Sequence, residues 1–386
     1  MSQSTDRRKF VAKGGAAAAA ASILIVKPGT AFSYQANSAL SLGVIGVGNR
    51  GSYVAGKIFA KNEFLKVTAF ADIYEDKRKA AGELFSGARA FRSHQELLAA
   101  PDIDAVYIAT PAYLHPEHFE AAVDARKHIF MEKPAGVDAA GCHRVLRAAR
   151  KADPAKRISV DLQQRYGKDY RKAYQVVKSG ELGAIRQIRA AWMGGGPAIK
   201  SGHAESEEKV RNWFFYRNLS GDILIEQDCH NIDVVNWFTG KHPVRVSGYG
   251  SRQLRMYGDV FDNLSCTFQY EDGLVFSYCA NQFGPGPAWS DVSETFVCDK
   301  GSVNVSRRGY TIYRQGGQPP ETVQTKHDIT MDAVNEFIEG ARTGKMENAA
   351  FHAAESTLTA VMALDACVKG EVMTWDKVRE PQTAAA

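Results

Sequence analysis

"LSLGVIGVGNRGSYVAGKI", residues 40–58, decides how the chain is read. It starts as an apolar strand and passes through Gly46-x-Gly48-x-x-Gly51 into a helical pattern. Glycines at these positions let backbone N–H groups and a helix N-terminus approach a pyrophosphate that a Cβ would keep away. Gly46, Gly48, Asn49, Arg50 and Gly51 are therefore candidate contacts to a dinucleotide. Alone, the pattern is weak. A second strand, "KVTAFAD", strengthens it by ending in Asp72, 21 residues after Gly51, where a carboxylate can accept from both ribose hydroxyls. Asp72 would repel a 2′-phosphate and so favours NAD, although Lys77 and Arg78 nearby leave NADP open.

Downstream, strand and helix continue to alternate. "IDAVYIATP" (103–111) is a near-continuous apolar run of the kind buried in a parallel sheet, and it stops at Thr110-Pro111, where a nucleotide would pass the strand's carboxyl end. "KHIFMEKPAG" (127–136) supplies another strand ending in Glu132-Lys133-Pro134. There Lys133 faces either the ligand crevice or solvent, and Pro134 suits a cis bond. Thr110, Pro111, His115, Glu132 and Lys133 join the cofactor candidates. After about residue 150 the pattern changes. "IRQIRAAWM", "DNLSCTFQY", "LVFSYCANQ" and "YTIYRQ" alternate apolar and polar residues between turn signals, which implies a large, mostly antiparallel, open-faced sheet. Such a face predicts a homo-oligomer, a dimer or tetramer. Two late segments, 331–342 and 352–370, have helical spacing and are expected to pack back on the first domain.

The whole chain, 386 residues with 45% apolar, is long enough for two cores. Its N-terminus combines Arg7-Arg8, Phe10 and an apolar run from Gly14 to Val26 of 13 residues, short of the ~20 needed to span a bilayer. This reads as a twin-arginine export signal, implying the twin-arginine translocase as a transient partner and a periplasmic or secreted destination. Five basic residues there against Asp6 carry four of the five net positive charges, so the basic balance says nothing about nucleic acid, and none is expected as a partner. Six cysteines without a C-x-x-C show neither a zinc ribbon nor a redox motif. The division expected is 1–39 signal and linker, 40–150 Rossmann domain, 151–376 α/β substrate and oligomerisation domain, and 377–386 tail.

"GVIGVGNRG", "ADIYEDK", "ATPAYLHPEH", "MEKPAG", "GAIRQIRAAW", "SGDILIEQDCHNIDVVNWFTG" and "GEVMTWD", in this order over roughly residues 40–376, resemble the glucose-fructose oxidoreductase, inositol dehydrogenase and MocA family. The resemblance implies a Rossmann domain followed by an α/β substrate domain, a carbohydrate substrate, and a catalytic lysine at Lys133. It also implies a general-base histidine at His230, with Glu226 at the place of the family's aspartate, which supports either that histidine or the substrate.

The stretch "IEQDCHNID" (225–233) is open to three readings from spacing alone. Glu226 and His230 are four apart and share one face of a helix expected from about Glu226 to Thr239. The pair could be ordinary helix-surface pairing, a metal site lacking a second ligand pair, or acid/base machinery. With the resemblance, the acid/base reading is adopted and no metal is expected. Arg165, Tyr166 and Asp233 are candidate sugar-hydroxyl partners, with a structural salt bridge as the alternative for Arg165. Trp192, Trp213, Phe214 and Phe215 are candidates for an aromatic wall. Export of a folded protein to a compartment with little free NAD implies a tightly bound, internally recycled cofactor. Three functions follow: a carbohydrate oxidoreductase; a glycosidase or lyase acting through transient ring oxidation and elimination; and a non-catalytic sugar-binding protein.

Overall fold

The computed structural model describes residues 39–283 and 290–379, so the expected export signal and most of the expected C-terminal tail lie outside the described residues. Six parallel strands form the first sheet in the order β3-β2-β1-β4-β5-β6: β1 (Leu40–Ile45), β2 (Leu65–Ala71), β3 (Arg89–Phe91), β4 (Ala105–Ile108), β5 (His128–Met131) and β6 (Ile158–Val160). Every residue of the inner strands β4 and β5 is buried, as expected for parallel strands covered on both faces, and so is every residue of the edge strand β6. The sixth strand lies beyond residue 150, so the first sheet runs about ten residues past the boundary expected from the change in pattern.

The second sheet has nine strands in the order β14-β13-β12-β11-β7-β10-β9-β8-β15. Its members are β7 (Ile185–Met193), β8 (Arg245–Ser251), β9 (Asn263–Gln269), β10 (Val275–Asn281), β11 (Asp291–Cys298), β12 (Gly301–Ser306), β13 (Gly309–Arg314), β14 (Glu321–Gln324) and β15 (Met373–Thr374). Within this sheet, among the described residues, only β7 and β10 pair in parallel. Along β9, Leu264, Cys266 and Phe268 turn inward while Ser265 and Thr267 face out, which makes this sheet one-sided. The late helix Ile329–Thr343 returns to the first domain, where Phe337 meets Phe59 and Phe130 edge to face.

One local expectation fails. The segment expected to form a single helix from Glu226 is two: Asp222–Glu226 and Cys229–Thr239. The N–H groups of both Gln227 and Asp228 donate to the Ile223 carbonyl, at 2.9 and 3.0 Å, which ends the first helix and restarts the second. Glu226 and His230 thus occupy separate helices and share no helical face.

Candidate active site

A cleft of about 790 Å³ runs from the glycine turn of the first domain to the second sheet. At one end the helix Asn49–Lys57 starts from Gly48 with no side-chain cap and no acidic residue in its first turn. Its free N–H groups therefore remain available to an anion. A Cβ on Gly51 would stand 2.0 Å from the Gly46 carbonyl oxygen, while one on Gly48 would meet nothing within 4 Å. The turn is thus closed on its inner side and open towards the cleft. Asp72 lines the same end, its carboxylate accepting from the Val47 and Tyr74 N–H groups, each at 3.0 Å. Burial raises its pKa against these two bonds. Glycines, helix end and carboxylate fit a dinucleotide with its pyrophosphate at the turn.

Arg50 and Glu132 also line the cleft, but they are engaged with one another. Arg50 Nε donates to Glu132 Oε1 at 2.7 Å and its guanidinium also pairs with Asp161, while the Tyr107 hydroxyl donates to Glu132 at 2.7 Å. Burial alone would raise the Glu132 carboxyl, yet Arg50 and the tyrosine hydroxyl hold it below its usual value. Asp161, buried beside the charged Glu132, is pushed up to about 7. Thr110, Pro111 and His115 sit above them on the cleft wall. The His115 ring spans the carbonyls of Pro134 (2.7 Å) and Thr110 (2.9 Å), linking the exits of β4 and β5.

At the other end Lys133 meets the second domain. Its peptide bond to Pro134 is cis, as Pro134 allowed. Lys133 Nζ donates to Glu226 Oε1 at 2.9 Å and also to the Glu226 backbone carbonyl. Burial by itself would lower the lysine pKa, but Glu226 outweighs it and the net shift is upward. His230, 4% exposed, lies against Trp192 with ring centroids 5.8 Å apart. Burial, then Arg307, Lys133 and Arg50, depress its pKa well below the usual value, so its imidazole is neutral at pH 7. Its Nδ1 has no hydrogen-bond partner, so of the two supports expected of Glu226 the one to the histidine is not formed. Glu226 holds the lysine instead.

Three expected sugar contacts are absent from the cleft. Arg165 and Asp233 are committed to each other at 2.7 and 2.8 Å, with Ser356 donating to Asp233 as well. Tyr166 is buried in the core under helix Ile329–Thr343. Trp192 and Trp213 line the cleft, whereas Phe214 and Phe215 do not. Gln163, Gln227, Lys200 and Arg307 line it without having been singled out from the sequence. No periodicity or motif marks them. His94, Glu117 and His118 gather on the cleft wall with potential ligand atoms within 4.8 Å of one another, a group that sequence spacing conceals because His94 stands 23 positions before Glu117. The His118 ring is hydrogen-bonded to the Thr110 hydroxyl at 3.0 Å.

Residues 40–160 match the model of an oxidoreductase family with an NAD-binding Rossmann fold, and residues 170–304 match the GFO/IDH/MocA C-terminal domain. Among curated relatives, the myo-inositol 2-dehydrogenase of Thermotoga maritima is 24% identical over 240 residues, 61% of this chain and 66% of that protein. The match thus spans just under two thirds of that relative's own length. Among solved structures, levoglucosan dehydrogenase in complex with NADH and levoglucosan superposes with a TM-score of 0.75 at 19% identity, covering 87% of this chain and 99% of that one. The aldose-aldose oxidoreductase of Caulobacter crescentus complexed with glycerol gives 0.72 at 20% identity, with the same coverage. At these identities the structural likeness establishes the fold.

Proposed function

The chain belongs to the Gfo/Idh/MocA family of NAD-binding oxidoreductases, and on that premise we propose that it transfers hydride between a secondary alcohol carbon of a carbohydrate and NAD. One observation carries this reading. The cleft that begins at the glycine turn ends between Lys133, held charged by Glu226, and His230, held neutral by burial. An acid and a base whose environments push their pKa values apart is the arrangement that acid/base chemistry at neutral pH requires. NAD would supply the ring that takes the hydride. His230 takes the hydroxyl proton as the C–H bond breaks, and Lys133 donates a hydrogen bond to the same oxygen. Glu226 positions Lys133. Gly46, Gly48, Asn49 and Gly51 would hold the pyrophosphate and Asp72 the ribose, while Arg50 and Glu132 brace each other on the cleft wall.

The same proposal includes export and a closed cofactor cycle, which the paired arginines support. It extends to a second copy covering the outer face of the nine-stranded sheet, where Tyr249, Val297 and Tyr313 stand exposed. Light scattering on the purified protein tests the second copy. For the reaction, nucleotide released on denaturation is identified by mass spectrometry, and the holoenzyme is incubated with aldoses and with aryl glycosides. Carbohydrate oxidation that Lys133→Ala and His230→Ala each slow by roughly 10²-fold or more, with nucleotide still bound, is the expected result. An empty site that exchanges added NAD freely overturns the closed cycle. Aglycone release without net cofactor reduction replaces the oxidoreductase by the elimination route. Near-normal rates in either variant refute the assigned roles.

A further inference from the structure

Three cations act on His230: Arg307, Lys133 and Arg50. Two are neutralised, Lys133 by Glu226 and Arg50 by Glu132 and Asp161. Arg307 is not: among the described residues no carboxylate lies within ion-pair distance of it, and its Nε is buried without a hydrogen-bond partner. Its guanidinium sits over the Trp192 ring, 5.1 Å from the centroid, and Trp192 in turn stacks on His230. All three side chains line the cleft.

The turn that presents Arg307 is firmly built. It joins β12 to β13, the Arg308 N–H donates to Ser306 Oγ at 3.1 Å, and Gly309 has φ +123°. A Cβ at Gly309 would stand 1.9 Å from the Val323 carbonyl oxygen. Arg307 is therefore held on a fixed hairpin end rather than on a loose loop. The buried acid Glu294 feels Arg307 but forms no ion pair with it: it accepts from Asn231 at 2.7 Å, and burial outweighs the pull of Arg307 and pushes its carboxyl up to about 8, so it is mainly protonated at neutral pH. An uncompensated, partly buried guanidinium beside the reacting end is costly unless an anion comes to it.

We propose that Arg307 binds an anionic group of the substrate, so that the preferred carbohydrate is a sugar acid, a polyhydroxylated carboxylate, rather than a neutral polyol. This deepens the functional reading above and rests on it. A planar guanidinium backed by an indole offers its outer edge to a planar carboxylate, which it can hold in two parallel hydrogen bonds.

The test is binding of sodium glucuronate, sodium gluconate, glucose 6-phosphate and myo-inositol to the NADH-loaded full chain, followed by nicotinamide fluorescence. The better of the two carboxylates is expected to bind about 10- to 100-fold more tightly than myo-inositol. In Arg307→Met that ratio collapses towards one. Arg307→Lys keeps part of it, because a point charge remains while the bidentate fork is lost. Nucleotide released from each variant on denaturation, quantified against the wild type, reports whether its nucleotide site is intact. A preference undiminished in Arg307→Met, or a wild-type preference for myo-inositol, overturns the proposal. Tighter binding of glucose 6-phosphate than of both carboxylates also overturns it in favour of a phosphorylated sugar. Turnover separates the two levels of inference. Selective binding of acids with no carbohydrate oxidised would sink the proposed reaction and leave the Arg307 assignment standing. Oxidation of neutral polyols with no preference for acids would sink the assignment alone.

Discussion

Lys133 and Glu226 come from different sheets' domains and meet where the reaction is proposed, so separating them probes stability and chemistry together. Their side chains are 14% and 17% exposed. Removing one partner leaves the other charge largely buried and unpaired, which costs about 3–5 kcal/mol. Lys133→Ala, Glu226→Ala and the double variant form a cycle. Because the backbone contact from Lys133 to the Glu226 carbonyl survives in Glu226→Ala, the coupling isolates the carboxylate, and about 1–3 kcal/mol is expected for groups in direct contact. Urea denaturation followed by circular dichroism measures it. Rates add a second reading: Lys133→Ala should lose roughly 10²–10³ in kcat, the range for removing one donor to a developing oxyanion. In Glu226→Ala the lysine stays buried but loses the charge that raised its pKa, so the alkaline limb of the rate profile moves to lower pH. In the wild type that raised value stabilises the fold at pH below the unfolded lysine's, and the gain disappears as pH rises through the folded value. Stability effects that add to within about 0.5 kcal/mol would refute the pairing.

Three further outcomes follow from the same structure. The acid limb of kcat/KM is expected below the reference histidine value of about 6.5, because His230 is depressed by burial and by Arg307; a limb at or above that value contradicts the assigned base. His128 Nδ1 accepts the Arg157 N–H at 2.9 Å, and burial lowers its pKa to about 4. Its folded value lies below its unfolded one, so about 3 kcal/mol of stability present above pH 6.5 is lost on acidification towards 4; a stability-against-pH curve that His128→Asn fails to flatten there would exclude this site as the cause. Finally, Asp72→Ser should weaken NAD and improve NADP relative to it, since a buried carboxylate no longer faces the 2′ position; an unchanged ratio of the two dissociation constants would remove Asp72 from cofactor selection.

The glycine turn, Asp72 and Lys133 were legible because each follows from backbone geometry close in sequence. A strand must end, a turn must admit phosphate, and the residue at the strand's end faces the crevice. The break at Gln227 and Asp228 was not. Periodicity around it reads as one continuous helix, and the interruption arises from a shared Ile223 carbonyl over a fully buried Asp228. Arg165 and Asp233 show a different limit. They stand 68 positions apart, and the residue types that bind sugar hydroxyls are those that bind each other, so only packing chooses. Arg307 belongs to a hairpin end beside another arginine, and nothing local tells the cleft-facing one from the exposed one.

A lysine ammonium is a tripod of three N–H bonds. At Lys133 two legs are planted, one on the Glu226 carboxylate and one on its carbonyl, and both anchors come from the same residue. The third leg therefore cannot swing; it points along a single direction. A freely rotating ammonium would serve an axial or an equatorial hydroxyl equally well, whereas one pinned in this way would favour the epimer whose oxygen lies on its axis. In the proposed reaction that pinning would let Lys133 favour one hand at the reacting ring carbon before any substrate arrives.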